Sequence, residues 1–241
     1  MARLLVGTSG YSFKQWKGTF YPADLPDREM LPFYSRELPA VEINYTFRHL
    51  PSDKTVAGWA AATPPEFVFV LKASQRITHI LRLKDAGEAA QTFMLAASGL
   101  GPKLGPVLFQ LPPFQHKEAD RLASFLGALP PGYRYAFEFR HPSWFDAEIE
   151  GLLRNHGASL CINETEEGAP DLVVTAPFLY IRLRSETYTP EAIAAWGERI
   201  GPLVEQGTDV FAFFKHEDEG PSYAQALRRA VAAQASAEPS E

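Results

Sequence analysis

Eight short apolar runs, separated almost throughout by amphipathic helical segments, predict a TIM-type (β/α)8 barrel for this chain of 241 residues. Three observations carry that expectation. Strands separated by helices run parallel, because a parallel partner needs a crossover and not a hairpin. The runs recur at roughly 20 to 40 residues, the spacing of a βα unit. No linker or break in composition divides the chain, so a single barrel domain over residues 1–234 is expected, with a small, polar, disordered tail over 235–241. A doubly wound open sheet is the alternative. It would want a glycine-rich phosphate turn after its first strand, and Gly7-Thr-Ser-Gly10 lacks the dinucleotide spacing. No cofactor is therefore expected.

The first strand, residues 4–8, leads into an ordered aromatic loop with Tyr11, Phe13, Trp16, Phe20 and Tyr21, where Gly18 and Pro22 argue against a helix. Residues 30–38 read as a short helix, and Pro39 precedes a second strand at 40–46. There Val41 and Ile43 face one way, Glu42 and Asn44 the other. Pro51-Ser52 opens a helix to about residue 62. The third strand, 67–73, carries a single charge, Lys72, near its end. A polar segment at 74–84 precedes a long helix over about 85–100. The run from Gly99 to Gly105 reads only as a turn. Gln110 is the lone polar side chain of the fourth strand, 106–113, which prolines terminate. A helix at 117–129 follows.

In the fifth strand Tyr135, Phe137 and Phe139 alternate with Ala136, Glu138 and Arg140, so a carboxylate and a guanidinium share one face. His141-Pro142 stops it. Ser143 reads as the N-cap of the next helix, 144–156, with Asp146 in the first turn and Gly157 just past the end. The sixth strand is 159–163. Gly168, Pro170 and Pro177 break the segment 164–177, so an irregular stretch replaces one helix here. The seventh strand, 178–184, sets Tyr180, Arg182 and Arg184 on one face. Thr189-Pro190-Glu191 caps a helix to about residue 206. The last strand, 209–215, is followed by a helix over about 221–233.

The polar strand residues are Thr8, Glu42, Asn44, Lys72, Gln110, Glu138, Arg140, Asn163, Arg182, Arg184 and Lys215, each late in its strand. In a parallel barrel those ends meet at one rim, where active and binding sites are built. Unpaired charge inside a barrel costs several kcal/mol, so so many polar groups at one end point to a site. Cations predominate, which suits a small anionic ligand, phosphate or carboxylate. Glu42 and Glu138 are candidates for general acid and base, or simply hold the arginines in place. Lys72 is a candidate for a Schiff base if desolvated, with a salt bridge to either glutamate as the bland reading. Asn44, Gln110, Arg140, His141, Trp144, Asn163, Arg182, Arg184 and Lys215 complete the candidate ligand-binding set. The aromatics Tyr11, Phe13, Trp16, Tyr45, Phe47 and Trp144 follow strands and are candidates to wall a ring-shaped ligand.

Other chemistry is poorly supported. His49, His79, His141 and His216 follow strand ends, while His116 and His156 are expected on the opposite or outer side. None forms the paired helical pattern of a zinc protease, and the surrounding cations disfavour a metal, so no metal is expected. The single cysteine, Cys161, excludes an intrachain disulfide and reads as core. Formal net charge is −6, which disfavours nucleic acid as a partner. The start of the chain is too short and too soon broken for a signal peptide, and no apolar run approaches the ~20 residues of a membrane span. Cytoplasmic residence without a membrane partner is expected. An enzyme or binding protein for a small anion is the leading reading. A nucleotide or nucleic-acid module and a metal-dependent hydrolase are the alternatives.

Dispersed motifs in order add a resemblance. They are Gly7-Thr-Ser-Gly-Tyr11, Phe20-Tyr-Pro22, Val41-Glu-Ile-Asn44 with Thr46-Phe47, Trp59, Phe67-Val-Phe with Lys72, Ile77-Thr-His79, Lys103-Leu-Gly105, Gln110-Leu-Pro-Pro113 and Glu138-Phe-Arg-His-Pro-Ser-Trp144. Over residues 4–231 the chain resembles the YecE-like family, domain of unknown function 72. The resemblance implies a TIM-type barrel and no particular reaction. After Tyr180 and Arg182 that family often continues His-Gly, where this chain has Arg184-Ser185. After the last strand it often has Asn, where this chain has Lys215-His216. The last third of the rim is therefore expected to differ.

Overall fold

The computed structural model describes residues 2–164, 168 and 171–235. Eight parallel strands close into a barrel in chain order. They are β1 (Leu4–Ser9), β2 (Ala40–Ile43), β3 (Val68–Lys72), β4 (Leu104–Gln110), β5 (Tyr135–Glu138), β6 (Ser159–Asn163), β7 (Phe178–Leu183) and β8 (Asp209–Phe214). Interleaved with them are α1 (Met30–Glu37), α2 (Asp53–Ala61), α3 (Gly87–Ser98), α4 (Ala119–Ala128), α5 (Ala147–Asn155), α6 (Pro190–Glu205) and α7 (Gly220–Ala235). The expected TIM-type barrel is the fold. Residues 171–177 carry neither helix nor strand, in keeping with the irregular segment read after β6. The expected tail lies outside the described residues from 236 onward.

Local chemistry explains most element ends. Ser52 Oγ accepts the Thr55 N–H (3.2 Å) and starts α2. Thr189 Oγ1 does the same for Ala192 N–H (3.2 Å), with Pro190 at the first helical position of α6. Gly157 and Gly207 take left-handed φ values of 61° and 97°, which suits glycine after a helix end. One cap differs from expectation. The Ser143 hydroxyl does not cap α5; it accepts the Lys117 N–H at 2.9 Å. The chain first makes a 3-10 turn, Pro142–Trp144, capped by His141, and Asp146 Oδ1 then accepts Ile149 N–H (3.0 Å) to start α5. The segment after β3 also differs: Arg76–Ile80 is a π-helical turn, and Arg82, Leu83 and Asp85 beyond it have φ of 51°, 67° and 48°. Left-handed φ in a non-glycine residue costs about 1 kcal/mol or more, so this segment stores strain.

Contacts group the chain into two compact units. The first takes residues 1–42, 162–172 and 178–241 and holds β7, β8, β1 and most of β2. Its register pairs Phe178 with Asp209, Leu4 with Val210 and Gly7 with Ala40. A side chain at Gly7 would sit 1.9 Å from the Ala40 carbonyl oxygen, so only glycine lets these strands approach. Trp16, expected near a ligand, is instead fully buried against Phe13 and Tyr21, and its indole N–H donates to the Glu217 carbonyl. The 3-10 turn Lys14–Trp16 directs the large apolar ring into the core.

The second unit takes residues 43–161 and 173–177 and holds β3 to β5 and the start of β6. Phe109 stacks on Phe137 (5.2 Å) and meets Phe125 of α4 edge-on (5.2 Å), so the aromatic face of β5 packs against helix as its alternation required. Lys103 Nζ donates to the carbonyls of Ala60 (2.6 Å) and Thr63 (2.6 Å) and to Thr63 Oγ1 (3.1 Å), satisfying the end of α2.

Candidate functional site

Glu42, in the first unit, is completely buried. Its Oε1 accepts hydrogen bonds from Ser9 Oγ (2.7 Å) and Arg182 Nη2 (2.7 Å), and its Oε2 accepts one from Tyr180 OH (2.6 Å). Burial alone would raise its pKa; the Arg182 charge, the two hydroxyls and the more distant Arg184 charge together hold it below the usual carboxylate range. A general acid needs the opposite shift. Of the two roles the sequence leaves open for Glu42, this geometry fits the anchor of Arg182, itself only 2% exposed. Arg184 is half-buried just past β7, and Lys215 is exposed past β8, its N–H donating to Leu183. His216 has both nitrogens engaged, Nε2 with the Glu186 carbonyl (2.8 Å) and Nδ1 with the Glu219 N–H (2.9 Å). Asn163 is half-buried at the end of β6. The neighbouring Glu164, which sequence reasoning passed over, is buried and accepts from Trp196 Nε1 (2.8 Å) and Tyr188 OH.

The second unit gathers a different set at the ends of β3, β4 and β5. Gln110 and Glu138 are register partners, and Gln110 Nε2 donates to Glu138 Oε1 (2.8 Å). The same oxygen of the completely buried Glu138 accepts Arg140 Nε (3.0 Å). Arg140 is 33% exposed, and its terminal nitrogens make no hydrogen bond to a described residue. Lys72 ends β3 with Nζ 4.2 Å from the centre of the Phe47 ring. Phe47 is placed by the 3-10 turn Tyr45–Phe47, which Thr46 Oγ1 fixes by bridging the Ile43 (3.1 Å) and Lys72 (2.7 Å) carbonyls. Asn44 is the half-buried residue that caps this turn.

His79, on the π-helical turn, meets Phe47 edge-on at 4.9 Å. Burial, then the charges of Lys72 and Arg140, push its pKa below the ordinary imidazole value. Both cations therefore act on one imidazole, which is neutral at pH 7. Sequence reasoning counted His79 only among histidines able to reach the strand ends. The available signal was Ile77-Thr-His79, in a segment that looked merely polar.

His116 corrects an expectation: it lies against His141, with ring centres 3.8 Å apart, and not on the opposite side. The loop after β4 brings it beside the loop after β5. His141 Nδ1 accepts the Ser143 N–H (3.2 Å), so its proton sits on Nε2 in the neutral form. Trp144 is 1% exposed, stacked on Phe139 at 4.5 Å, with its indole N–H donated to the Gln115 carbonyl (2.7 Å). It is covered by protein, so the structure gives it packing work and no open face for a ligand. Among the described residues, no group of three or more His, Cys, Asp or Glu side chains is arranged to hold a metal ion. No helix among them is long and apolar enough to cross a membrane.

The sequence pattern described as "Protein of unknown function DUF72" matches residues 5–241. The chain belongs to the DUF72 family. Among DUF72 relatives, UPF0759 protein YecE of Escherichia coli K12 is 33% identical over 125 residues, 52% of this chain and 46% of YecE. UPF0759 protein YunF of Bacillus subtilis 168 is 29% identical over 158 residues, 59% of this chain and 52% of YunF. The chain thus matches about half the length of these relatives. A DUF72 family protein from Thermotoga maritima has a similar solved structure, with a TM-score of 0.80 at 26% identity over 94% of this chain and 98% of that one.

Proposed function

We propose that the end of β3–β5 in the second unit binds a small anionic ligand bearing a phosphate or carboxylate. The observation that carries this is the convergence of Lys72 and Arg140 on one neutral imidazole, His79. Lys72 offers a compact charge, and Arg140 offers the terminal nitrogens that Glu138 leaves unused. Glu138 and Gln110 fix the Arg140 guanidinium, so little side-chain entropy is lost when an anion arrives. The carboxyl ends of barrel strands are where such sites are built, which favours this location.

The test is thermal stability of wild type, Lys72→Ala and Arg140→Ala with sulfate, inorganic phosphate, glycerol phosphate and nucleotides. A ligand at a hundred times its Kd stabilises by about 2.7 kcal/mol, a readily measured shift. A shift with one anion class, lost in both variants, is the expected result. No shift with any anion, or the same shift in both variants, overturns the reading. Binding to single-stranded nucleic acid that weakens steeply with salt would favour the nucleic-acid alternative.

A further inference from the structure

Given an anion held by Lys72 and Arg140 as proposed above, we infer that His79 is the specificity-determining residue of that site. Its Nε2 accepts a hydrogen bond from a hydroxyl on the bound anion, so the ligand belongs to the class of hydroxylated anions, polyol phosphates or hydroxy acids.

The hydrogen-bond chain around the ring leads there. Thr78 Oγ1 donates its proton to the Ser74 carbonyl at 3.4 Å. The 2.9 Å contact between Thr78 Oγ1 and His79 Nδ1 is then made by the Nδ1 proton. In a neutral imidazole this leaves the lone pair on Nε2. No described residue donates to Nε2. His141, by contrast, holds its lone pair on Nδ1 and presents Nε2–H, so the two histidines offer opposite chemistry.

The ring is also fixed in place. It lies on the π-helical turn Arg76–Ile80, braced by Leu81 N–H to Arg76 (2.8 Å) and Leu83 N–H to Ile77 (3.0 Å), with Phe47 against its edge. π-helical turns and left-handed non-glycine residues cluster at functional sites. An acceptor set among cations makes little sense for a bare anion, whose oxygens are acceptors too. It suits an anion that carries a donor beside its charge. Burial and the two cations keep the imidazole unprotonated, which preserves the lone pair at neutral pH. A site built to hydrogen-bond a hydroxyl discriminates against the analogue lacking it, because its own polar group is left unpaired.

The test compares matched pairs by calorimetry at pH 8, where phosphate monoesters are dianions. Glycerol 3-phosphate is set against n-propyl phosphate, and lactate against propionate, with wild type, His79→Phe and His79→Gln. In wild type the hydroxylated member of one pair binds about tenfold tighter or more, and the pair that discriminates identifies the anionic head. In His79→Phe the ratio falls to near one while the deoxy analogue binds as before. His79→Gln, with a side-chain carbonyl acceptor, keeps part of the ratio. Equal affinities within both pairs in wild type, or a ratio that persists in both variants, overturn the inference and leave the anion site standing. Failure of all four anions to bind wild type overturns both.

Discussion

Glu42 and Glu138 look alike in the sequence, each an acidic residue late in a strand of apolar partners, yet their surroundings give them different work. Glu42 spends both oxygens on three donors inside its unit. Glu138 holds Arg140, whose far nitrogens stay available. Removing the charge at Glu42 strands a buried guanidinium, so Glu42→Gln is expected to cost about 3–5 kcal/mol in urea denaturation. A loss below about 1 kcal/mol would mean Arg182 does not depend on it. The pH dependence has a definite sign. Because the folded pKa of Glu42 is depressed, its contribution is fully present above the unfolded value and disappears as pH falls through the folded one. Stability of wild type should therefore fall on acidification below about pH 4.5, and Glu42→Gln should fall less steeply over that range. Alternation in the sequence made both carboxylates legible. It could not reveal their partners, because pairing depends on register between strands remote in sequence. His79 escaped for a related reason: its meaning comes from Lys72 and Arg140, which reach it only in three dimensions.

At the scale of elements, the strands and most helices were readable from periodicity and caps. The exceptions lie where a short polar group has two possible backbone partners. Ser143 is as good an N-cap as Asp146 by type, but Pro142 commits the chain to a 3-10 turn first. Asp146→Ala should therefore speed amide exchange at Ile149, and Ser143→Ala should leave that amide unchanged. Exchange that responds to Ser143 and not to Asp146 would reverse the assignment. The turn before β4 hides another device. Read as mere punctuation, it carries Lys103, whose ammonium satisfies three oxygens at the end of α2. Lys103→Met keeps the stem and removes the donors. It is expected to cost about 2–3 kcal/mol by chemical denaturation, while a neutral result would show that water substitutes freely. The π-helical turn had no sequence signal, since left-handed φ there falls on Arg82, Leu83 and Asp85 and on no glycine.

For the whole molecule, strand count, helix alternation and the parallel requirement were enough to specify a barrel. The grouping into two compact units was not legible, because it reflects contact density and not composition. Closure places a demand on Gly7, where any side chain would run into Ala40. Gly7→Ala should abolish the native far-ultraviolet and thermal transitions, or lower the melting temperature severely; a variant within a few degrees of wild type would show that β1 and β2 can move apart. The register also bears on how the protein is made. Arg3 and Asp209 are hydrogen-bonded across 206 residues, so β1 leaves the ribosome long before its partner β8 exists. At about 5–20 residues per second, that strand edge waits on the order of 10 to 40 seconds. The second unit is contiguous apart from residues 173–177 and has no such wait. The nascent chain therefore carries an unpaired β1 while its middle is already able to fold, a period when chaperone contact matters most and when loss of the final strand would leave the first one without a partner.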